Sequence, residues 1–128
     1  MKKSAFVLIA ATMLSACALW QPIAADNMAE YVDIISGKAE TLARQDTSMN
    51  GSALVAVILK NDSKLKDAFR GYTVKAETAG RHAVILVCSK DGTKGLWQGA
   101  NCSFDEGRIR LPDNAPCSFT ASTEEICR

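Results

Sequence analysis

The feature that most constrains the fold is the segment from His82 to Ser89, whose six central residues are all apolar. A run without polar alternation is typical of a strand that is covered on both faces. The segment before it, from Tyr72 to Thr78, alternates instead, which predicts a strand with Val74 and Ala76 on one side. Ala79-Gly80-Arg81 lies between the two segments and predicts a turn, so we expect an antiparallel pair.

A second turn follows at Asp91-Gly92, between two extended segments. This dipeptide favours a type I′ hairpin, because glycine accepts the positive φ that the turn requires. The returning strand is predicted over Thr93 to Gln98. A two-residue turn would place two pairs on one side of the hairpin: Leu86 with Trp97, and Cys88 with Gly95.

Helices are predicted before the sheet. Asn27 with Glu30 has the spacing of a helix N-terminus. An apolar stripe then follows at helical spacing, which we expect to pack on the protein's own core: Met28, Val32, Ile35, Ala39 and Leu42. Residues 46–52 are predicted to form a loop.

The apolar run at 53–60 is too short for periodicity to distinguish a helix from a strand. We favour a helix. If it continues, Leu54, Ile58, Leu65 and Phe69 share one face and Gly71 is the candidate C-cap. In the alternative, Asn61-Asp62-Ser63 breaks it, and Asp62 or Ser63 caps a second short helix.

The C-terminal part is predicted to be largely irregular, with Ile109 and Leu111 in a short edge strand. Ser122 and Glu125 have capping-box spacing for a last helical turn that ends at Cys127. The predicted fold class is therefore α+β. N-terminal helices come first, followed by a small antiparallel β-sheet and a disulfide-stapled C-terminal tail.

The N-terminal residues have the features of an export signal, because Lys2 and Lys3 precede an apolar stretch that is too short to span a bilayer. The stretch closes with Leu14-Ser15-Ala16-Cys17, which resembles the lipobox of bacterial lipoproteins. The resemblance implies a signal peptide at 1–16, a lipidated tether at 17–26 and one domain at 27–128. An ordinary cleavage site before Asp26 is the alternative.

Membership of that family would imply that the Cys17 thiol carries acyl chains, palmitate among them, that hold the protein to a membrane. Ala18 after the cysteine is similar to the signal for transport to the outer membrane, facing the periplasm.

Cleavage would remove Lys2 and Lys3 from the 15 basic residues, so that 13 would stand against 14 acidic residues. This balance offers no basic surface for nucleic acid.

Four cysteines remain after Cys17 is acylated or removed: Cys88, Cys102, Cys117 and Cys127. Export to an oxidising compartment predicts two disulfides, with three possible connectivities. We favour Cys88–Cys102 and Cys117–Cys127, because both close short loops.

No metal site is expected, since the chain has no CxxC pair and a single histidine. The order of strand, turn and cysteines is also similar to that of small uncharacterised exported bacterial proteins.

The chain has one histidine, His82, and no Gly-x-Ser-x-Gly elbow or Gly-rich phosphate loop. We therefore expect no enzyme activity and no cofactor. The expected function is binding of an envelope protein, as an accessory subunit or an inhibitor. The alternatives are a small envelope hydrolase that uses His82 or Asp105, and a structural surface lipoprotein.

Four residues are predicted to contact the partner: Trp97, Gln98, Arg108 and Arg110. Tryptophan is enriched at the energetically dominant positions of interfaces. For Trp97 a core position over a Cys88–Cys102 bridge is the favoured alternative, because Leu86 is predicted to face it.

Overall fold

The structure is a computed structural model that describes residues 25–102 and 107–127. In chain order it contains α1 (Ala25–Gln45), α2 (Gly51–Asn61), α3 (Ser63–Ala68), β1 (Tyr72–Ala79), β2 (His82–Ser89), β3 (Gly95–Ala100), β4 (Arg108–Arg110) and α4 (Thr123–Ile126). The predicted α+β class is confirmed. Two features named in the sequence analysis lie outside the described residues: the segment that resembles a lipobox, with Cys17, and the residue Asp105. Within them, no helix has the length and apolar character that a bilayer span requires.

Helix α1 buries the predicted apolar stripe against the sheet. Val32, Ile35 and Ala39 are fully buried in the main core, as expected for an amphipathic helix that packs on its own domain. The helix begins at Ala25, two residues before the start predicted at Asn27. Asn27 is therefore inside the helix and is not its cap.

Helices α2 and α3 confirm the helical choice for residues 53–60. Asn50 caps α2 by accepting a hydrogen bond from the Ala53 amide at 2.8 Å, so the predicted loop ends at Asn50 and not at residue 52. Asp62 caps α3 through the Leu65 amide at 3.0 Å, as one of the two predicted caps. Helix α3 ends at a Phe69 cap, before Gly71.

The sheet is fully antiparallel, in the order β1-β2-β3-β4. All six central residues of β2 are buried, which confirms the predicted central strand. The face that carries Ile85 and Val87, together with Val74 and Ala76 of β1, packs against the helices and is called the helix face. The other face, with Leu86 and Cys88, is called the tail face. It is covered by the C-terminal tail, residues 111–127.

The β2–β3 hairpin differs from the predicted one. Gly92 has a positive φ of 74°, but Asp91 does not, which excludes a type I′ turn. The Asp91 carboxylate instead accepts hydrogen bonds from Ser89 Oγ at 2.6 Å and from Thr93 Oγ1 at 2.7 Å. The connection is therefore longer than two residues, and β3 begins at Gly95, two residues after the predicted start.

A register shift between Val87 and Cys88 then changes which residues face each other. Cys88 pairs with Gly95 as predicted, but Trp97 pairs with Val87 and Gln98 pairs with Leu86. Because one residue of shift exchanges the two faces of a strand, Trp97 lies on the helix face. The predicted Leu86–Trp97 pair is wrong for this reason.

Two disulfides are present, Cys88–Cys117 and Cys102–Cys127. The pairing favoured from short loops is therefore wrong. Cys88 pairs with Gly95 at the turn end of the hairpin. Cys102 lies seven residues after Gly95 in the chain, beyond the other end of β3. At about 3.3 Å per residue that separation is on the order of 20 Å, and a disulfide requires Cα atoms within about 7 Å.

The tail crosses the sheet between these two bridges. Its last helix, α4, begins with the predicted capping box, in which Ser122 Oγ accepts from the Glu125 amide and the Glu125 carboxylate accepts from the Ser122 amide. Cys127 caps the other end of α4. The tail thus gives the sheet its second cover, which a buried central strand requires.

Candidate functional site

The candidate site lies at the edge of the sheet. It consists of strand β4 and of Trp97, which pairs with β4 from the neighbouring strand β3. We call it the edge site, and it comprises Trp97, Arg108, Ile109 and Arg110. Strand β4 is the last strand of the sheet, and its three residues are all exposed. The predicted edge strand is thereby confirmed, although it ends one residue before Leu111.

The backbone of β4 presents hydrogen-bonding groups outward. The Ala100 amide donates to Gly107 O and the Leu111 amide to Leu96 O, both at 2.9 Å. These bonds make the pairs of Arg108 and Arg110 with β3 the non-hydrogen-bonded type. The N–H and C=O groups of Arg108 and Arg110 therefore point away from the sheet. An extended segment of another protein can pair with groups in this position.

The arginines of β4 have different surroundings on the helix face. Arg108 forms an ion pair with Asp33 of α1, which ties the edge strand to the helix. Arg110 lies opposite Trp97, and no ion-pair partner is found for it among the described residues. Of the two arginines of the edge site, Arg108 is therefore paired within the domain and Arg110 is not paired by the described residues.

Trp97 is partly buried and packs against the main core. It also lines a cleft of about 350 Å³ together with Arg110, Lys94, Tyr72 and Pro112. The alternative in which Trp97 covers a disulfide is wrong, because both bridges involve residues on the opposite side of the sheet or beyond it. The structure thus brings two of the four predicted contact residues, Trp97 and Arg110, into one cleft.

Gln98 is not available at the surface. It is 5% exposed, and its side chain holds the tail: Gln98 Oε1 accepts from the Thr120 amide at 3.0 Å, and Thr120 Oγ1 lies 2.9 Å from Gln98 Nε2. The alternation of β3 places Gln98 beneath the tail, on the face opposite Trp97. Its contact with a partner was expected from sequence, and the structure assigns it a role in tail attachment instead.

Ile109 is an exposed apolar residue of the edge site that the sequence did not mark as a contact. It is 46% exposed and pairs with Gln98. It lines a cleft of about 260 Å³ on the tail face together with Ala121 and Ile126. The sequence did carry one sign that Ile109 is exposed: it lies between two arginines. Charged neighbours are typical of an edge strand, where they prevent non-specific pairing.

His82 has a partner that sequence spacing does not reveal. Its Nδ1 atom lies 2.5 Å from Oε1 of Glu40, and Oε2 of Glu40 accepts the Ala83 amide at 2.9 Å. Arg44 lies 3.4 Å from the same carboxylate. Glu40 is 2% exposed, so these bonds satisfy a carboxylate that would otherwise be costly to bury.

A larger groove lies between α1 and α2. Its volume is about 700 Å³, and Ile34, Leu42 and Val57 supply its apolar wall. At its end, Lys38 lies 3.5 Å from Asp62. The hydrogen bond from the Leu65 amide, and to a smaller extent the Lys38 charge, lower the pKa of Asp62. The groove has no outward backbone groups comparable to those of β4, because helical backbone bonds are internal.

Comparisons with protein-family models, with curated proteins and with solved structures found no match.

Proposed function

We propose that this chain is a lipid-anchored protein of the bacterial cell envelope that acts by binding another envelope protein. The anchor is supported by Leu14-Ser15-Ala16-Cys17. This segment resembles the lipobox, the motif at which bacterial lipoproteins are acylated. Two disulfides in a small domain support residence in an oxidising compartment. The partner is held at the edge site, and the protein serves as an accessory subunit or an inhibitor.

The observation that carries the binding proposal is the outward-facing backbone of Arg108 and Arg110. Main-chain hydrogen bonds to such an edge give affinity, and neighbouring pockets give specificity. The exposed Ile109 offers an apolar contact, and the cleft at Trp97 offers an aromatic one. Two cationic side chains, Lys94 and Arg110, and one carboxylate, Asp113, line this cleft, and the excess of positive charge favours an extended segment with acidic residues.

The test uses a photo-crosslinking amino acid in place of Ile109 in the full-length protein in its native cells. We expect a crosslink to one envelope protein, identified by mass spectrometry. The matched control carries the same amino acid at Ser52, an exposed residue of α2. Equal crosslinking to the same protein from both positions would contradict the edge site.

A pair of substitutions at Arg110 then tests strand pairing. Arg110→Pro removes the outward N–H while the ladder bonds of Ile109 to β3 remain, whereas Arg110→Ala keeps the N–H and removes the charge. We expect Arg110→Pro to weaken capture of the partner by about tenfold, which corresponds to one main-chain hydrogen bond with its neighbouring contacts. Loss of capture in Arg110→Ala with full capture in Arg110→Pro would contradict strand pairing.

The hydrolase alternative is tested by two variants: Asp105→Ala, for which we expect normal capture and complementation, and His82→Ala. Binding at the edge site does not use the imidazole, so we expect this variant to capture the partner and to complement a deletion strain normally. Loss of complementation with intact capture would favour an enzyme.

A further inference from the structure

Three side chains with metal-binding atoms meet at one end of the sheet. A ring nitrogen of His82 and the sulfur atoms of Cys102 and Cys127 all lie within 4.8 Å of one another. His82 starts β2, Cys102 follows β3, and Cys127 caps α4, so the antiparallel register and the tail together create the cluster. The two cysteines are 25 residues apart in the chain and form a disulfide in the structure.

The imidazole of His82 is held in one orientation. Because a carboxylate oxygen only accepts, we assign the proton of the 2.5 Å bond between His82 and Glu40 to Nδ1. For His82 to bind a metal while it donates to Glu40, the ligand atom must be Nε2. Glu40 is itself fixed through the Ala83 amide and is buried. A carboxylate that holds the far nitrogen of a histidine is the usual support of a histidine metal ligand.

We propose that the dithiol form of Cys102 and Cys127 binds one zinc ion together with His82. Two thiolates and one imidazole are a donor set that zinc favours, and the fourth position is open to water. The His82 side chain is 37% exposed, so solvent reaches the site. In a tetrahedral site with Zn–S of about 2.3 Å and Zn–N of about 2.0 Å, the ligand atoms stand about 3.5–3.8 Å apart. After reduction the two sulfur atoms must move apart to about 3.8 Å, and the His82 ring nitrogen already lies within 4.8 Å of both.

The disulfide and the metal exclude each other, which makes the site responsive to redox state. A dithiol reductant supplies two electrons and two protons to Cys102–Cys127 and becomes a disulfide itself. Zinc then binds the two sulfur atoms as thiolates, and two protons pass to solvent. Both cysteines of this bridge are partly exposed, whereas in the other bridge Cys117 is partly exposed and Cys88 is fully buried. Access therefore favours reduction of Cys102–Cys127, and Cys88–Cys117 keeps the tail attached.

The experiment uses the mature protein, in which Cys17 is acylated or removed, treated with a limiting amount of a phosphine reductant. Alkylation and peptide mapping confirm that only Cys102 and Cys127 are free. Zn²⁺ is titrated by calorimetry, and Co²⁺ serves as an optical probe of thiolate coordination. We expect one ion per reduced chain and none in the oxidised protein. The matched control is Cys102→Ser with Cys127→Ser, which keeps Cys88–Cys117 and should bind no ion.

Two further variants test the imidazole and its support. We expect Glu40→Gln to weaken zinc binding by about 10- to 100-fold, the range for loss of a group that orients a ligand, and His82→Ala to weaken it at least as much. X-ray absorption of the zinc-loaded wild type gives a readout that needs no variant, and we expect two sulfur ligands and one imidazole nitrogen. Zinc binding by the reduced chain no tighter than by the double serine variant, or a spectrum without nitrogen, would overturn the proposal.

Discussion

At the scale of single residues, position on one or the other face of the sheet decides what a side chain does. Trp97 and Gln98 are neighbours in the chain, yet one lines an open cleft and the other is buried beneath the tail. Gly99 lies on the same face as Trp97, where α1 comes so close that a β-carbon would stand 2.7 Å from Val32 Cγ1 and closer still to Ser36 Oγ. Contact between α1 and β3 therefore requires glycine at this position.

The substitution Gly99→Ala tests this contact. We expect it to lower the free energy of unfolding by about 1–3 kcal/mol, because overpacking forces the helix away from the sheet. Denaturant unfolding measures the change in the free energy of unfolding, provided that the wild type and the variant have the same m-value. Gly71→Ala is the matched control, since a β-carbon there meets nothing within 4 Å. Equal stability of the two variants would show that α1 can move without cost.

Asp91 offers a prediction about pH. Hydrogen bonds from the side chain of Ser89, and then from the side chain and amide of Thr93, lower its pKa from 3.8 to about 2. Because the pKa is lower in the folded protein than in the unfolded chain, the ionised carboxylate stabilises the turn above about pH 4. That contribution is lost as the pH falls toward 2. Carboxyl NMR titration should show the lowered pKa, and Ser89→Ala should raise it.

At the scale of elements, the helices and strands follow local sequence, while their pairing depends on small irregularities. The ends of β2 agree with prediction because its apolar run is bounded by polar residues. The register shift at Val87 and Cys88 was not predictable, because it depends on how the Asp91 turn is closed. The sequence could have excluded one of the three disulfide connectivities, the one that contains Cys88–Cys102, but it could not choose between the other two. The predicted hairpin itself separates Cys88 from Cys102 by the length of a strand.

Peptide mapping without reduction tests the pairing, and we expect linked peptides Cys88–Cys117 and Cys102–Cys127 only. The bridges span 29 and 25 residues, so each should stabilise the fold by about 3.5 kcal/mol in the chain-entropy description. Unfolding of Cys102→Ser with Cys127→Ser measures one of these contributions. Recovery of a Cys88–Cys102 peptide from folded protein would be incompatible with the hairpin register.

At the scale of the whole molecule, the sheet is covered by helices on one face and by an irregular tail on the other. The two disulfides attach this tail near opposite ends of β2, and the Gln98–Thr120 hydrogen bonds hold it between them. The proposed partner would pair with the exposed edge of β4, and the proposed lipid would keep the domain at a membrane.

The anchor itself is tested by the intact mass of the mature protein. We expect a chain that begins at Cys17 and carries several acyl chains, because two or more chains are needed for stable membrane attachment. Cys17→Ser should abolish acylation and signal cleavage at this position, as seen by metabolic labelling with palmitate. A mature protein that begins at Asp26 and remains in the soluble fraction would contradict the lipoprotein proposal.

The sequence by itself determined the order of helices and strands, the central position of β2, the capping box of Ser122 and Glu125, and the presence of four cysteines for two bridges. These properties depend on residues close together in the chain, whose periodicity and capping chemistry act locally. Only the tertiary structure decided the face on which Trp97 and Gln98 lie, the partners of the cysteines, and the meeting of Glu40 with His82. Those outcomes depend on register and on packing between distant segments, where a shift of one residue reverses every side chain of a strand.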